Sequence, residues 1–170
     1  MKQRVMGIAL IGAGLAAIAP AWSADRVELT TRVSGVVDEV LVKAGQRVAK
    51  GAVLARLDRT VLQARVDEAM AEQARAEAEE EDAKREFERA EELYNRTVSS
   101  TSELEAATLR HTRAKAALAA AYARLTIAKK NLADAELKAP FAGVVASVPG
   151  LPGTVVAAEC QPRPLVVLSR

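Results

Sequence analysis

At 170 residues, half of them apolar but only 3% aromatic, the chain can bury hydrocarbon but carries little bulk per residue, which suits close-packed helices better than a thick globular core. Its charge is nearly balanced, with 24 Lys and Arg against 22 Asp and Glu, and this excludes the concentrated basic surface that a nucleic-acid partner requires. The single cysteine, Cys160, excludes an internal disulfide, and the single histidine, His111, lies too far from it in sequence for an ordinary zinc site.

The first 23 residues read as a secretory signal peptide. Lys2 and Arg4 precede a small-residue apolar run from Val5 to Ala19, Pro20 breaks it, and Ala21-Trp22-Ser23 supplies a cleavage site after Ser23. The alternative is an anchor that stays uncleaved and holds the protein at the inner membrane, since the run is almost long enough to span a bilayer. Without Lys2 and Arg4 the mature chain has 22 bases and 22 acids.

Residues 24–58 are expected to be β-structure. Val33, Val36, Val37, Val40, Val42, Val48, Val53, Leu54 and Leu57 come in short runs that Gly35, Gly45 and Gly51 punctuate. Residues 59–138 contain neither Gly nor Pro and are rich in Ala, Glu, Arg and Leu, so they predict two long helices. The turn between them is expected near 97–102, where Thr97, Ser99, Ser100, Thr101 and Ser102 collect poor helix formers and N-cap candidates. Ser100 with Glu103, or Ser102 with Glu105, fits a capping box.

Heptad spacing predicts that the helices pair as an antiparallel coiled coil. In the second helix, Leu104, His111, Leu118, Leu125 and Leu132 form one line, and Ala107, Ala114, Ala121, Ala128 and Ala135 the other. In the first, the lines are Leu62, Ala69, Ala76, Ala83, Ala90 and Val66, Gln73, Glu80, Phe87, Tyr94. Gln73 and Glu80 are expected to loosen the middle of the seam. Residues 59–98 carry 12 acids and 7 bases, and residues 101–138 carry 4 acids and 7 bases, so the two helices have opposite net charge.

Ala139-Pro140 is expected to end the hairpin, and residues 139–170 resume β-structure through Phe141, Val144, Val145, Val148, Val155, Val156 and Leu165 to Leu168. The two β segments repeat at an offset of 108. Gly35-Val36-Val37 matches Gly143-Val144-Val145, Val40 matches Val148, Gly45 matches Gly153 and Val48 matches Val156. Each half is too short to hold a core alone. The fold expected is α+β: one split β-sandwich with a long helical hairpin inserted between its halves.

At these residues the sequence resembles the biotinyl/lipoyl-like domain of the membrane fusion protein family, the periplasmic adaptors of tripartite efflux and secretion pumps. Ser34 to Val40, Gly45, Val48, Gly51, Leu54 and Leu57-Asp58 look like the first lipoyl half. Leu137-Lys138-Ala139-Pro140-Phe141-Ala142-Gly143-Val144-Val145 looks like its return. Adaptors of this kind carry an Arg, a Leu four residues later and a Ser seven beyond that near the hairpin tip, and Arg89, Leu93 and Ser100 have this spacing, with Ser99 as the alternative for the last position. The resemblance implies that these residues dock an outer-membrane channel protein and that several copies associate side by side into a ring. It further implies an inner-membrane transporter as partner. Family members engage that transporter through a β-barrel and a membrane-proximal domain, and the chain ends at Arg170, so a minimal adaptor or a fragment of a longer frame is expected.

No enzyme is expected. His111 falls on the seam, Glu79-Glu80-Glu81-Asp82 lacks the glycines and alternating ligands of a calcium loop, and Gly12-Ala13-Gly14 lies in the signal segment. Biotin carriers present Glu-Ala-Met-Lys-Met, but Glu68-Ala69-Met70 is followed by Ala71, so no biotin, lipoate or other cofactor is expected. With only Met1, Met6 and Met70, soft-metal capture is not expected either. The alternative function is a periplasmic coiled-coil chaperone or scaffold, which would require apolar patches left exposed between the helices.

Overall fold

The computed structural model describes residues 26–158 and 163–170. The signal segment and Cys160 lie outside the described residues. Eight strands and two helices follow in the order β1 (Arg26–Leu29), β2 (Gly35–Val40), β3 (Arg47–Val48), β4 (Val53–Leu57), α1 (Thr60–Asn95), α2 (Thr101–Ala133), β5 (Glu136–Lys138), β6 (Gly143–Ser147), β7 (Val155–Val156) and β8 (Val166–Ser169). The strands form two antiparallel four-stranded sheets, ordered β1-β8-β6-β3 and β5-β4-β2-β7.

The repeat seen in the sequence is a structural one, and the halves do more than pack together. β2 pairs with β4 of its own half and with β7 of the other. β6 pairs with β8 of its own half and with β3 of the other. Each half therefore lends a two-residue strand to its partner's sheet. The hydrogen bonds repeat at the same offset. Gly45 N–H donates to the Val145 carbonyl and Val145 N–H to that of Gln46, while Gly153 N–H donates to the Val37 carbonyl and Val37 N–H to that of Thr154, all at 2.8–2.9 Å. Gly45 and Gly153 enter these bonds with φ of 82° and 83°, a left-handed conformation that glycine adopts without steric cost.

Between the sheets lie Val37, Leu54, Leu57, Val145, Val156, Leu165, Val166 and Leu168, each no more than 2% exposed. Burying each of these side chains contributes about 1.5–3 kcal/mol, and all of them come from the two repeat halves. Gly143 makes the closest approach: a Cβ there would stand 2.4 Å from the Ser169 carbonyl oxygen.

The second helix stops short of 138. Glu136–Lys138 are strand β5, with Arg56 opposite Glu136 and Ala55 opposite Leu137. The cause is local alternation. Ala135, Leu137 and Ala139 are buried, whereas Lys138 turns outward and Glu136 is half-buried at the surface, a period of two that fits a strand and not a helix. The boundary expected from Pro140 alone is thus corrected to Ala133.

α1 and α2 lie side by side and antiparallel: Arg110 meets Glu86, Tyr122 meets Glu77 and Arg124 meets Glu72, so position numbers fall on one helix as they rise on the other. At 1.5 Å per residue the pair projects about 50 Å from the β-domain. The seam buries Leu62, Val66, Ala76, Ala107, Ala121 and Leu125. In its middle the polar positions meet each other. His111 Nε2 lies 3.1 Å from Glu80 Oε1, and its ring stacks on Phe87 at 5.5 Å between centroids.

Candidate functional site

The free end of the hairpin is built by helix termination. α1 ends at Asn95, and the Arg96, Thr97 and Val98 N–H groups turn back to the carbonyls of Glu92, Tyr94 and Leu93. Thr97 takes φ of 62° to make the reversal. Ser100 then opens α2 with a capping box: its hydroxyl accepts from Glu103 N–H, and the Glu103 carboxylate accepts from Ser100 N–H at 3.1 Å. Two of the orphan donors of the first turn are satisfied this way. The Ser99 hydroxyl also donates to Glu103. These bonds, that from Ser99 first, hold the Glu103 carboxyl below the ordinary glutamate value.

Arg89, Leu93 and Ser99 line a single open cleft of about 340 Å³, together with Glu86, Ala90, Glu103, Ala106, Ala107 and Arg110. Its floor is apolar because Ala90 and Ala107 are small seam residues that leave space between the helices. Its rim is charged. Arg110 is held by Glu86 at 2.9 Å, whereas Arg89 stands exposed. Leu93 is 39% exposed, Tyr94 beside it at the end of α1 is 40% exposed, and Val98 on the turn is 73% exposed. Ser100 does not line this cleft. Its hydroxyl is spent on the cap and on Ser102 Oγ at 2.9 Å, which leaves Ser99 as the serine that faces the cleft.

The cleft gathers Arg89, Leu93 and Ser99, which the family resemblance singled out, with Glu86, Glu103 and Arg110, which it did not. Their signal was the heptad register: Glu86 and Arg110 flank the seam on opposite helices. Tyr94, assigned to the seam by spacing, is 40% exposed. Val98 was read only as a turn residue.

A second cleft, of about 660 Å³, opens on the hairpin nearer the β-domain and is lined by Arg65, Glu68, Glu72, Arg124, Ile127 and Ala128 among others. Among the described residues no group of three or more His, Cys, Asp and Glu stands together as a metal site, and no helix is long and apolar enough to cross a membrane.

Curated relatives share this arrangement in part. The chain is 32% identical over 135 residues to the efflux pump periplasmic linker BepD of Brucella suis biovar 1 (strain 1330), a match that covers 79% of this chain and 34% of that one. It is 33% identical over 125 residues to the uncharacterized protein YdhJ of Escherichia coli (strain K12), covering 74% of this chain and 44% of that one. The chain therefore spans less than half the length of these relatives. Among solved structures it superposes on a MacA-MexA chimera containing the Pseudomonas aeruginosa MexA α-hairpin domain, with a TM-score of 0.57, 25% identity, and coverage of 85% of this chain and 46% of that one. The membrane fusion protein Spr0693 of Streptococcus pneumoniae R6, at 21% identity and a TM-score of 0.62 over 85% of this chain and 62% of that one, shares the fold. Residues 25–169 match the family described as RND MFP, barrel-sandwich hybrid domain, and with the interlocked β-halves and inserted helix pair already established, the chain belongs to the membrane fusion protein family.

Proposed function

We propose that the chain is the hairpin-bearing part of a periplasmic adaptor of a tripartite efflux or secretion system, exported by its signal segment, and that its helix pair is an antiparallel coiled coil docking an outer-membrane channel protein through the tip. The observation that carries this reading is the placement of Arg89, Leu93 and Ser99 in one cleft at the end of the hairpin farthest from the β-domain. An exposed cation, an exposed leucine and a hydroxyl around an alanine floor suit a helical partner that brings a carboxylate and an apolar side chain.

The opposite end suits the inner-membrane side. β1 and β8 pair with Arg26 opposite Ser169, and the Leu29 end of β1 lies beside Ala133 and Asp134 at the hairpin base. The chain therefore enters and leaves the domain side by side, away from the hairpin, where an inner-membrane transporter would be reached. Ring formation by several copies belongs to the same reading.

The test is capture of the detergent-solubilised channel protein by the full chain. Arg89→Asp reverses the exposed charge and should abolish capture, while Ser99→Arg should fill the cleft and weaken it. Arg26→Asp at the far end should leave capture unchanged. Unchanged capture by both tip variants would remove the docking assignment.

A further inference from the structure

The two repeat halves follow one backbone path but carry different surfaces. The first half has Lys43, Arg47 and Lys50 where the second, at the offset of 108, has Leu151, Val155 and Ala158. The paired turns keep the same hydrogen bonds and the same glycine φ, so the backbone does not account for the exchange of three cations for three apolar residues.

The cations gather on the outer face of the first sheet. Arg47 of β3 stands opposite Val144 of β6, Val144 opposite Ser169 of β8, and Ser169 opposite Arg26 of β1. Directly opposed residues point to the same side of a sheet, and here that side is solvent, since the neighbouring Val48, Val145 and Leu168 are buried. Arg170 follows Ser169, and its guanidinium sits over the Phe141 ring at 5.1 Å. Glu28 shares the face with Arg26, two residues along β1. The corresponding row in the second half is Val155, Val36 and Asp58. Arg59, the repeat counterpart of Arg170, is paired with Glu136 at 3.5 Å.

Between Arg47 and Arg170 lies a recess of about 680 Å³, floored by Ala49, Ala142, Gly143 and Val144 and lined by no acidic residue. A backbone donor belongs to it as well. In the second half the Ser34 hydroxyl accepts from Ala158 N–H at 3.0 Å. The repeat sets Lys50 N–H in the same relation to Ala142, which has no hydroxyl to offer, and Lys50 N–H meets no acceptor among the described residues.

We infer that this recess binds a phosphate group, carried by a small ester with an apolar body. Arg47 and Arg170 present planar forks that suit bidentate contact with phosphate oxygens, and Lys50 N–H adds a donor between them. Phe141 holds the Arg170 fork in place before the ligand arrives, and Val144 with the two alanines suits hydrocarbon. The donors surround a concavity of the size that small ligands occupy, which fits one phosphate group better than a flat membrane surface. The inference is independent of the adaptor reading and of the hairpin tip.

The experiment is calorimetric titration of the purified mature chain, in phosphate-free buffer, with inorganic phosphate and with phenyl phosphate. Both should bind, phenyl phosphate more tightly. Arg47→Glu and Arg170→Glu should each weaken binding about tenfold or more, as the loss of a charge-assisted contact predicts. Ala142→Ser, which gives Lys50 N–H an internal acceptor without changing the charge, should weaken it about threefold or more. Arg113→Glu, the same charge change on the exposed side of α2, should leave it as in wild type. Far-UV circular dichroism checks that every variant is folded. No heat with phenyl phosphate at millimolar concentration, tighter binding of inorganic phosphate, unchanged binding by Arg47→Glu, or an equal loss in Arg113→Glu would overturn the inference. So would sedimentation of the chain with phosphatidylglycerol vesicles in the absence of phenyl phosphate binding, which would assign the arginines to a membrane surface instead.

Discussion

Glu136 is the side chain on which the joint between β-domain and hairpin turns. Lys138 Nζ lies 3.1 Å from one of its oxygens, and Arg59 and Arg56 approach the other at 3.5 and 3.7 Å. Arg56 also reaches Glu39 at 2.6 Å. These cations, Lys138 first, hold the Glu136 carboxyl below its ordinary value of 4.5. A carboxylate whose pKa is lower folded than unfolded stabilises the fold above the unfolded value and ceases to do so as pH falls through the folded one. Glu136→Gln should therefore lower stability at about pH 7, and the gap from wild type should narrow as the pH drops from about 4.5 toward 3. Urea denaturation across that range measures it. A gap independent of pH would mean that the charge of Glu136 is not what holds the joint.

At the scale of the helix pair, the polar layer in the seam calls for a different experiment. His111 and Glu80 are each about one-fifth exposed, at 18% and 21%, so each satisfies the other where water is scarce. Removing one partner of such a pair leaves the other's desolvation uncompensated, at about 1–3 kcal/mol. Replacing both by apolar residues extends the leucine line and is neutral or stabilising. His111→Leu alone should destabilise the hairpin, and His111→Leu with Glu80→Leu should recover wild-type stability or exceed it, as a double-mutant cycle followed by thermal melting will report. A change in the double variant equal to the sum of the His111→Leu and Glu80→Leu changes would show that the pair is not coupled. The sequence made the seam legible because heptad spacing survives even where Gln73, Glu80 and His111 interrupt its chemistry. It did not reveal that two of those interruptions answer each other, because pairing across an antiparallel hairpin depends on where the turn falls, and a shift of one or two residues there changes every partner. The end of α2 was hidden for a similar reason. No Gly or Pro marks it, and the alternation of Ala135, Leu137 and Ala139 is only three buried positions long. At the tip, Arg89, Leu93 and Ser99 were singled out only through the family resemblance, while the place of Glu86 and Arg110 beside them in one cleft depends on the register of the two helices.

For the whole molecule, the exchanged strands matter more than the hairpin's length. β3 belongs in sequence to the first half but pairs with β6, and β7 belongs to the second but pairs with β2. Neither half can complete a sheet alone. Leu54 and Leu57 of one half share a core with Leu165 and Leu168 of the other, so separation exposes both sets. The hairpin tip is the one point where the chain crosses between halves, and it lies about 50 Å from the core it joins. The covalent link there adds proximity but no packing to the β-domain. A cut between Thr97 and Ser99, introduced as a protease site, should therefore leave the two fragments associated under native conditions, held by the seam and the exchanged strands. Each fragment isolated in denaturant and refolded alone should lack cooperative unfolding, and mixing the two should restore it. The cost of the cut is the loss of one effective concentration, so the nicked protein should become less stable on dilution while the intact chain does not. Independent folding of either fragment would contradict the interlocked architecture, because it would require β2 or β6 to form a stable sheet without the strand that the other half supplies.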